Sequence, residues 1–279
     1  MLVNLNEVYQ IAEKRKMAIP AINTPNLESI IAAIEVAEKL EIPLILAHAQ
    51  LHDSVMPIEI IGPIMLDMAQ KAKVPVVVHL DHGESFAFCK KAIDTGFTSV
   101  MIDASALPYE ENIAASREVV EYAHKHDVTV EAELGMLPNR ESGGADPHAA
   151  SLYTDPDLVP DFVKRTGVDC LAIAFGTAHG IYKVKPVLNF DIISEIRKRS
   201  DIPLVMHGGS GLSDDDYREA IKRGIRKINY YTYMSYDGYA AVKAMVEKQP
   251  TGFFHDLCTV ATKAEADRLL HVMAVFEGK

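Results

Sequence analysis

"VPVVVHLDHGES", residues 74–85, decides the fold. Its first half is an apolar, Val-rich run of strand length, led by a proline. Apolar residues at successive rather than alternate positions fit a strand covered on both faces, as in parallel sheets. Its second half crowds two His, one Asp and one Glu into residues 79–85. Such groups either cap the strand at the surface or are chemical tools held at the rim of a scaffold.

Seven other apolar runs repeat the first half. They are 17–24 (MAIPAINT), 42–49 (IPLILAHA), 99–105 (SVMIDAS), 129–135 (TVEAELG), 170–176 (CLAIAFG), 202–209 (IPLVMHGG) and 225–232 (IRKINYYT). Four of the eight read X-Pro-apolar, which suits proline at a strand's first position. Helical stretches such as 26–40 and 214–224 separate the runs, and Ile30, Ile31, Ile34 and Leu40 make an apolar face in the first. Eight strand–helix units predict an α/β protein, a single (β/α)8 TIM barrel spanning 1–279 as one domain. The competing fold is an open doubly wound sheet, but no Gly-x-Gly-x-x-Gly follows the first run to support it. Extra helices are expected before the first strand (4–16) and after the eighth (about 260–276). The loop at 136–156 is long enough for a lid or binding loop.

The 279 residues are 48% hydrophobic and 24% charged, ordinary for a globular chain with a sizeable core. A net charge of −11 without a basic cluster argues against nucleic acid as a partner. No apolar stretch of about 18 residues exists to span a membrane. The mixed, charged N-terminal residues do not read as a signal peptide. Cys89, Cys170 and Cys258 are too scattered for a disulfide framework or a Cys-type zinc site. A cytoplasmic protein with reduced thiols is expected.

In a barrel the C-terminal strand ends form the active face. The third run ends in Asp81 and His82, the fourth in Asp103 and Ser105, and the fifth carries Glu131 and Glu133. His179 follows the sixth, His207 ends the seventh, and Asn229 and Thr232 end the eighth. His82, His179 and His207 can together hold a borderline metal ion, with Glu133 as a fourth ligand. The other eight His, among them His48, His52 and His79, read as structural. Alternation puts His79 and His82 on opposite faces of the strand. "HGGSG" (207–211), ahead of a helix beginning near Ser213, suits a phosphate, because glycine allows close backbone approach and helix starts attract anions. Ser210 and Thr232 can add hydroxyls, and Gly180 lies near the same mouth.

These segments resemble the metal-dependent, class II ketose-bisphosphate aldolases, the family of fructose- and tagatose-bisphosphate aldolases. The resemblance runs from about 5 to 235 and is carried by "HLDHG", "SVMIDAS", "PYEENI", "VEAELG", "TDP", "TGVD", "GTAHG", "PLVMHGGSG" and "KIN". It implies reversible cleavage of a ketose 1-phosphate or 1,6-bisphosphate to dihydroxyacetone phosphate and an aldehyde. It implies Zn2+ or another divalent transition metal and a homodimer or homotetramer, and it allows a monovalent cation without requiring one. Carried over by position, His82, His179, His207 and Glu133 resemble the metal ligands. Asp81 resembles the acid/base serving the aldehyde oxygen, and Asn229 the group holding the enediolate. Gly180, Gly208, Gly209, Ser210 and Thr232 resemble the phosphate grip.

The chain also departs from the family. The loop after the fifth run reads "ELGMLPNRESGGAD" and lacks the usual acidic pair after its glycines, leaving Glu141, or Asp146, as the second acid/base. Tyr231 and Tyr233 stand where small or acidic residues are usual, and are expected to narrow the mouth. These changes surround the aldehyde half and suggest a non-standard aldehyde. Two other readings are a metal-dependent hydrolase, which has no use for an enediolate holder, and a non-catalytic sugar-phosphate-binding barrel.

Overall fold

Every apolar run becomes a strand, and the eight strands close on themselves. The computed structural model describes residues 1–136, 153–182, 184–249 and 251–279. The strands are β1 (Ile19–Asn23), β2 (Leu44–Ala49), β3 (Val76–Gly83), β4 (Ser99–Ile102), β5 (Thr129–Leu134), β6 (Cys170–Ile173), β7 (Leu204–Met206) and β8 (Ile225–Tyr230). They pair in chain order, all parallel, and β8 closes on β1 with Ala21 opposite Asn229. The open doubly wound sheet is thereby excluded.

None of the four prolines occupies the expected first strand position. Pro43, Pro75 and Pro203 lie one residue ahead of their strands, since proline has no N–H to begin a ladder. The carbonyls of Pro75 and Pro203 still accept from Leu44 and Leu171, both at 3.0 Å. Pro20 lies within β1.

Helix α1 (Leu5–Arg15) starts at a capping box formed by Asn4 and Glu7 and buries Leu5, Val8, Tyr9 and Ala12. The Leu5 N–H donates to Thr129 Oγ1 at the start of β5, so α1 covers the N-terminal end of the barrel. Helix α2 (Leu27–Leu40) buries Ile30 with Ala32, Ala33, Val36 and Ala37. Ile31, expected on the apolar face, is exposed. The small residues face inward because α2 packs against both the barrel and the last helix, and alanines allow the closer approach.

The helices α3 (Ile58–Lys71), α4 (Phe86–Thr95), α5 (Tyr109–Ala123), α6 (Val159–Thr166), α7 (Phe190–Arg197) and α8 (Asp214–Arg223) complete the outer ring. Two helices follow β8, not one at 260–276: α9 (Thr232–Lys248) and α10 (Phe254–Glu277). Helix α9 escaped the sequence pattern because it buries only Met234 and Gly238, too few to mark an apolar face. Phe253 and Phe254 are exposed and do not anchor α10. That helix is held instead by Leu269, Val272, Met273, Val275 and Phe276.

Glu265 of α10 is buried where Gly238 of α9 leaves room for it. Burial, and then the nearby Glu28 carboxylate, raise its pKa from the ordinary 4.5 to about 7. The folded chain thus keeps a proton that the unfolded chain has lost. The stability from this group is full below pH 4.5 and fades as pH rises through 7. Glu265→Gln stays neutral throughout. Its stability relative to the parent should therefore grow over that window, by about 3 kcal/mol at most. Urea midpoints at about pH 5 and pH 8 measure this; equal differences at both would refute it.

Candidate active site

Inward-facing residues fill the barrel in layers. Near the C-terminal ends Asn23, Asp81, Glu133 and Asn229 line a cavity of about 610 Å³, within the usual range for a small-molecule site. Below them His79, Glu131 and Lys227 are fully buried.

Strict alternation would turn His82 out of the barrel, because its neighbour Asp81 points in. His82 instead adopts a left-handed backbone, φ 48°, where the β3–β4 register shifts between Leu80 and Gly83. Gly83 makes the turn possible, since a Cβ there would lie 2.6 Å from the Met101 carbonyl. The expected separation of His79 from His82 holds, but through this bulge: His79 points into the barrel, and His82 is swung over the mouth.

The three predicted His converge. One ligand atom from each of His82, His179 and His207 lies within 4.8 Å of the others, and His82, Asp103 and Glu133 satisfy the same condition. His82 Nδ1 donates to Asp103 Oδ2 at 2.8 Å, and His207 Nε2 donates to Glu131 Oε1 at 2.7 Å. Each carboxylate fixes one ring nitrogen as the donor. The other two, His82 Nε2 and His207 Nδ1, then face each other at 3.1 Å. Opposed ring nitrogens with carboxylates behind them are the donor arrangement of a histidine metal site, so the residues fit a divalent transition metal.

The charges agree with this. Burial, then the neighbouring His82 and His207, lower His179 to about 3. Burial likewise lowers His207, against the pull of Glu131. Burial opposes charge on His82 too, but Asp81 and hydrogen-bonded Asp103 outweigh it and raise its pKa to about 10. Of the three rings only His82 is pushed toward the cationic form, so the carboxylates around it favour a positive charge there, which a cation could supply. Asp81 lies well below the usual carboxylate range: burial works against this, and His82, His207 and Lys227 override it. Its Oδ2 accepts from Asn23 at 2.9 Å and its Oδ1 from Asn229 at 3.0 Å.

The sequence reading missed the layer beneath. Lys227 Nζ donates to Glu131 Oε2 at 2.6 Å and lies 3.2 Å from His79 Nε2, while His79 Nδ1 meets Ser99 Oγ at 2.8 Å. Glu131 is held below its ordinary range, although burial opposes it, first by Lys227 and then by His207. A chain of buried polar groups thus runs from the barrel centre to one predicted ligand. Its sequence signal was a charged residue inside an apolar run, at Glu131 and again at Lys227.

The residues expected to form the phosphate grip come together at the cavity. Gly180, Gly208, Gly209, Ser210 and Thr232 all line the cavity. Gly208 has φ 62°, and a Cβ there would sit 2.6 Å from the Ala178 carbonyl, so only glycine fits. Tyr182 and Tyr217 pin the loop by donating to the carbonyls of Gly208 and Gly209 at 2.9 and 2.5 Å. The helix start near Ser213, expected to favour an anion, is poorly suited to one. Ser213 and Asp216 cap it reciprocally, and three Asp fill its first turn, which repels an anion. The start of α9 faces the cavity instead, with Thr232 and Ser235 in its wall and no side-chain cap.

Tyr231 lines the mouth as expected, but Tyr233 turns away and packs against Gly211. Tyr236 and Tyr239 take that wall. Thr232, Ser235, Tyr236 and Tyr239 share one helical face, a spacing that would have marked them had α9 been recognised. Glu141 and Asp146 lie outside the described residues. Among the described residues no helix is long and apolar enough to cross a membrane.

Residues 3–279 match the family model of fructose-bisphosphate aldolase class-II. The chain is 38% identical to YdjI of Escherichia coli K12 over 281 residues, covering 100% of this chain and 99% of that protein. The crystal structure of the YdjI aldolase from Escherichia coli K12 superposes with a TM-score of 0.87 at 36% identity, covering 99% and 97% of the two chains. Fructose-bisphosphate aldolase of Campylobacter jejuni shares the fold, with a TM-score of 0.82 at 23% identity over 99% and 95%.

Proposed function

The chain belongs to the class II fructose-bisphosphate aldolase family, and we propose that it is a zinc-dependent aldolase that reversibly cleaves a ketose 1-phosphate or 1,6-bisphosphate to dihydroxyacetone phosphate and an aldehyde. The observation that carries this reading is the convergence of His82, His179 and His207 beside Asp81 and Asn229. His82, His179, His207 and Glu133 would hold the ion, which supplies Lewis-acid stabilisation of the negative charge left on the donor fragment.

The chain's own groups do the rest. Asp81, ionised and held by two amides, accepts the carbinol proton as the C–C bond breaks and returns it in the synthetic direction. Asn229, 3.3 Å from His207 Nδ1, offers an amide where the donor fragment carries its charge. Gly180, Gly208, Gly209, Ser210 and Thr232 grip the phosphate at the start of α9. Glu141 remains the candidate for returning a proton to the donor carbon.

The outer wall of Leu51, Ile181, Tyr231, Tyr236 and Tyr239 favours a non-standard aldehyde partner over glyceraldehyde 3-phosphate. In retro-aldol assays over a panel of ketose phosphates, a clear preference for fructose 1,6-bisphosphate would sink that part. Exposed Val246, Phe253 and Phe254 support a homodimer or homotetramer.

The primary test needs no knowledge of the aldehyde. Dihydroxyacetone phosphate in heavy water should lose a hydroxymethyl proton in the presence of the protein, and a chelator should abolish the exchange. Phosphate binding without exchange would favour the non-catalytic reading.

A further inference from the structure

His52 stands in the cavity wall with no part in the chemistry above. It belongs to the short 3-10 turn Gln50–Ser54 that follows β2. It is 7% exposed, and its Nδ1 has no hydrogen-bond partner among the described residues. Keeping an unpaired buried polar atom is unfavourable unless something pairs with the ring in the working state. Nor is the ring free to turn away. It packs on Tyr231 at 5.0 Å and 58°. Its carbonyl accepts from Val55 and Met56 at 2.9 Å each, and neighbouring Asp53 accepts from the Ile58 N–H at 2.7 Å.

Position selects the part of the substrate it would meet. β2 adjoins β3, with Ala49 opposite Asp81. The loops assigned to phosphate follow β6, β7 and β8, and β6 lies across the closed barrel from β2. With phosphate at those loops and the carbinol at Asp81, the rest of the aldehyde fragment extends toward β2. A neutral imidazole offers one donor and one acceptor, which suits a hydroxyl.

We propose that His52 is a specificity-determining residue that hydrogen-bonds a hydroxyl on the aldehyde fragment, on the carbon next to its carbonyl. The proposal rests on the aldolase reading. Glycolaldehyde and acetaldehyde differ by that hydroxyl alone, so each is condensed with dihydroxyacetone phosphate by the metal-loaded protein. The parent should prefer glycolaldehyde. His52→Leu should lower the glycolaldehyde-to-acetaldehyde ratio of kcat/KM by about 10- to 100-fold, and His52→Gln, with both a donor and an acceptor, should recover part of it. Should His52→Leu fail to fold, His52→Phe, which keeps a ring against Tyr231, carries the same expectation. An unchanged ratio overturns the proposal. Failure of the parent to exchange the donor proton overturns the aldolase reading and this proposal with it.

Discussion

Asp81→Asn is expected to slow C–C cleavage by about 10²- to 10⁴-fold, the range for loss of a positioned acid/base. The substitution preserves volume, so the cavity keeps its shape. It removes the proton acceptor and also a negative charge 4.0 Å from His82 Nε2. The new amide has one oxygen to offer where Asp81 now accepts from both Asn23 and Asn229. One of those donors loses its partner. Exchange of the donor proton does not involve the carbinol oxygen and should fall far less than cleavage. Measuring both rates on one preparation separates the roles. A cleavage rate within tenfold of the parent would remove Asp81 from the mechanism.

Lys227→Met is expected to cost about 3–5 kcal/mol, because it leaves Glu131 charged, fully buried and without its cation. At about 2–4 °C per kcal/mol the melting temperature should fall by roughly 10 °C. Metal affinity should also fall, by about 10- to 100-fold, because Glu131 orients His207. The double variant Lys227→Met/Glu131→Gln distinguishes charge from orientation. Its amide oxygen can still accept from His207, and no unpaired charge remains. Most of the stability should return, while metal affinity stays below the parent's. Thermal unfolding and zinc competition with a chromophoric chelator read the two effects. Unchanged melting in the single variant would contradict the account of this buried pair.

The barrel was legible because its determinants are local. Burial on both faces makes the strands mostly apolar at successive positions, and the runs at 42–49, 74–78 and 170–176 carry that mark without knowledge of their neighbours. Helix α9 was not legible for the opposite reason. It buries two residues and so leaves no apolar period to read. The α8 start looked anion-friendly because a glycine turn was weighed without the three Asp that follow it. The displaced Tyr233 followed from α9, since its direction depends on a helix that had not been placed.

By itself the sequence determined the eight-fold repeat, the rim position of His82, His179 and His207, and the family. Each rests on residue type and order along the chain, which no packing can alter. Tertiary structure alone decided that Glu131 and Lys227 form one buried pair, 96 residues apart, behind His207. It alone decided that a left-handed backbone swings His82 over the mouth, and that the helix start facing the cavity is that of α9. Those outcomes depend on which strands become neighbours once the barrel closes and on where the backbone breaks its alternation. Both are set by contacts between segments distant in the chain.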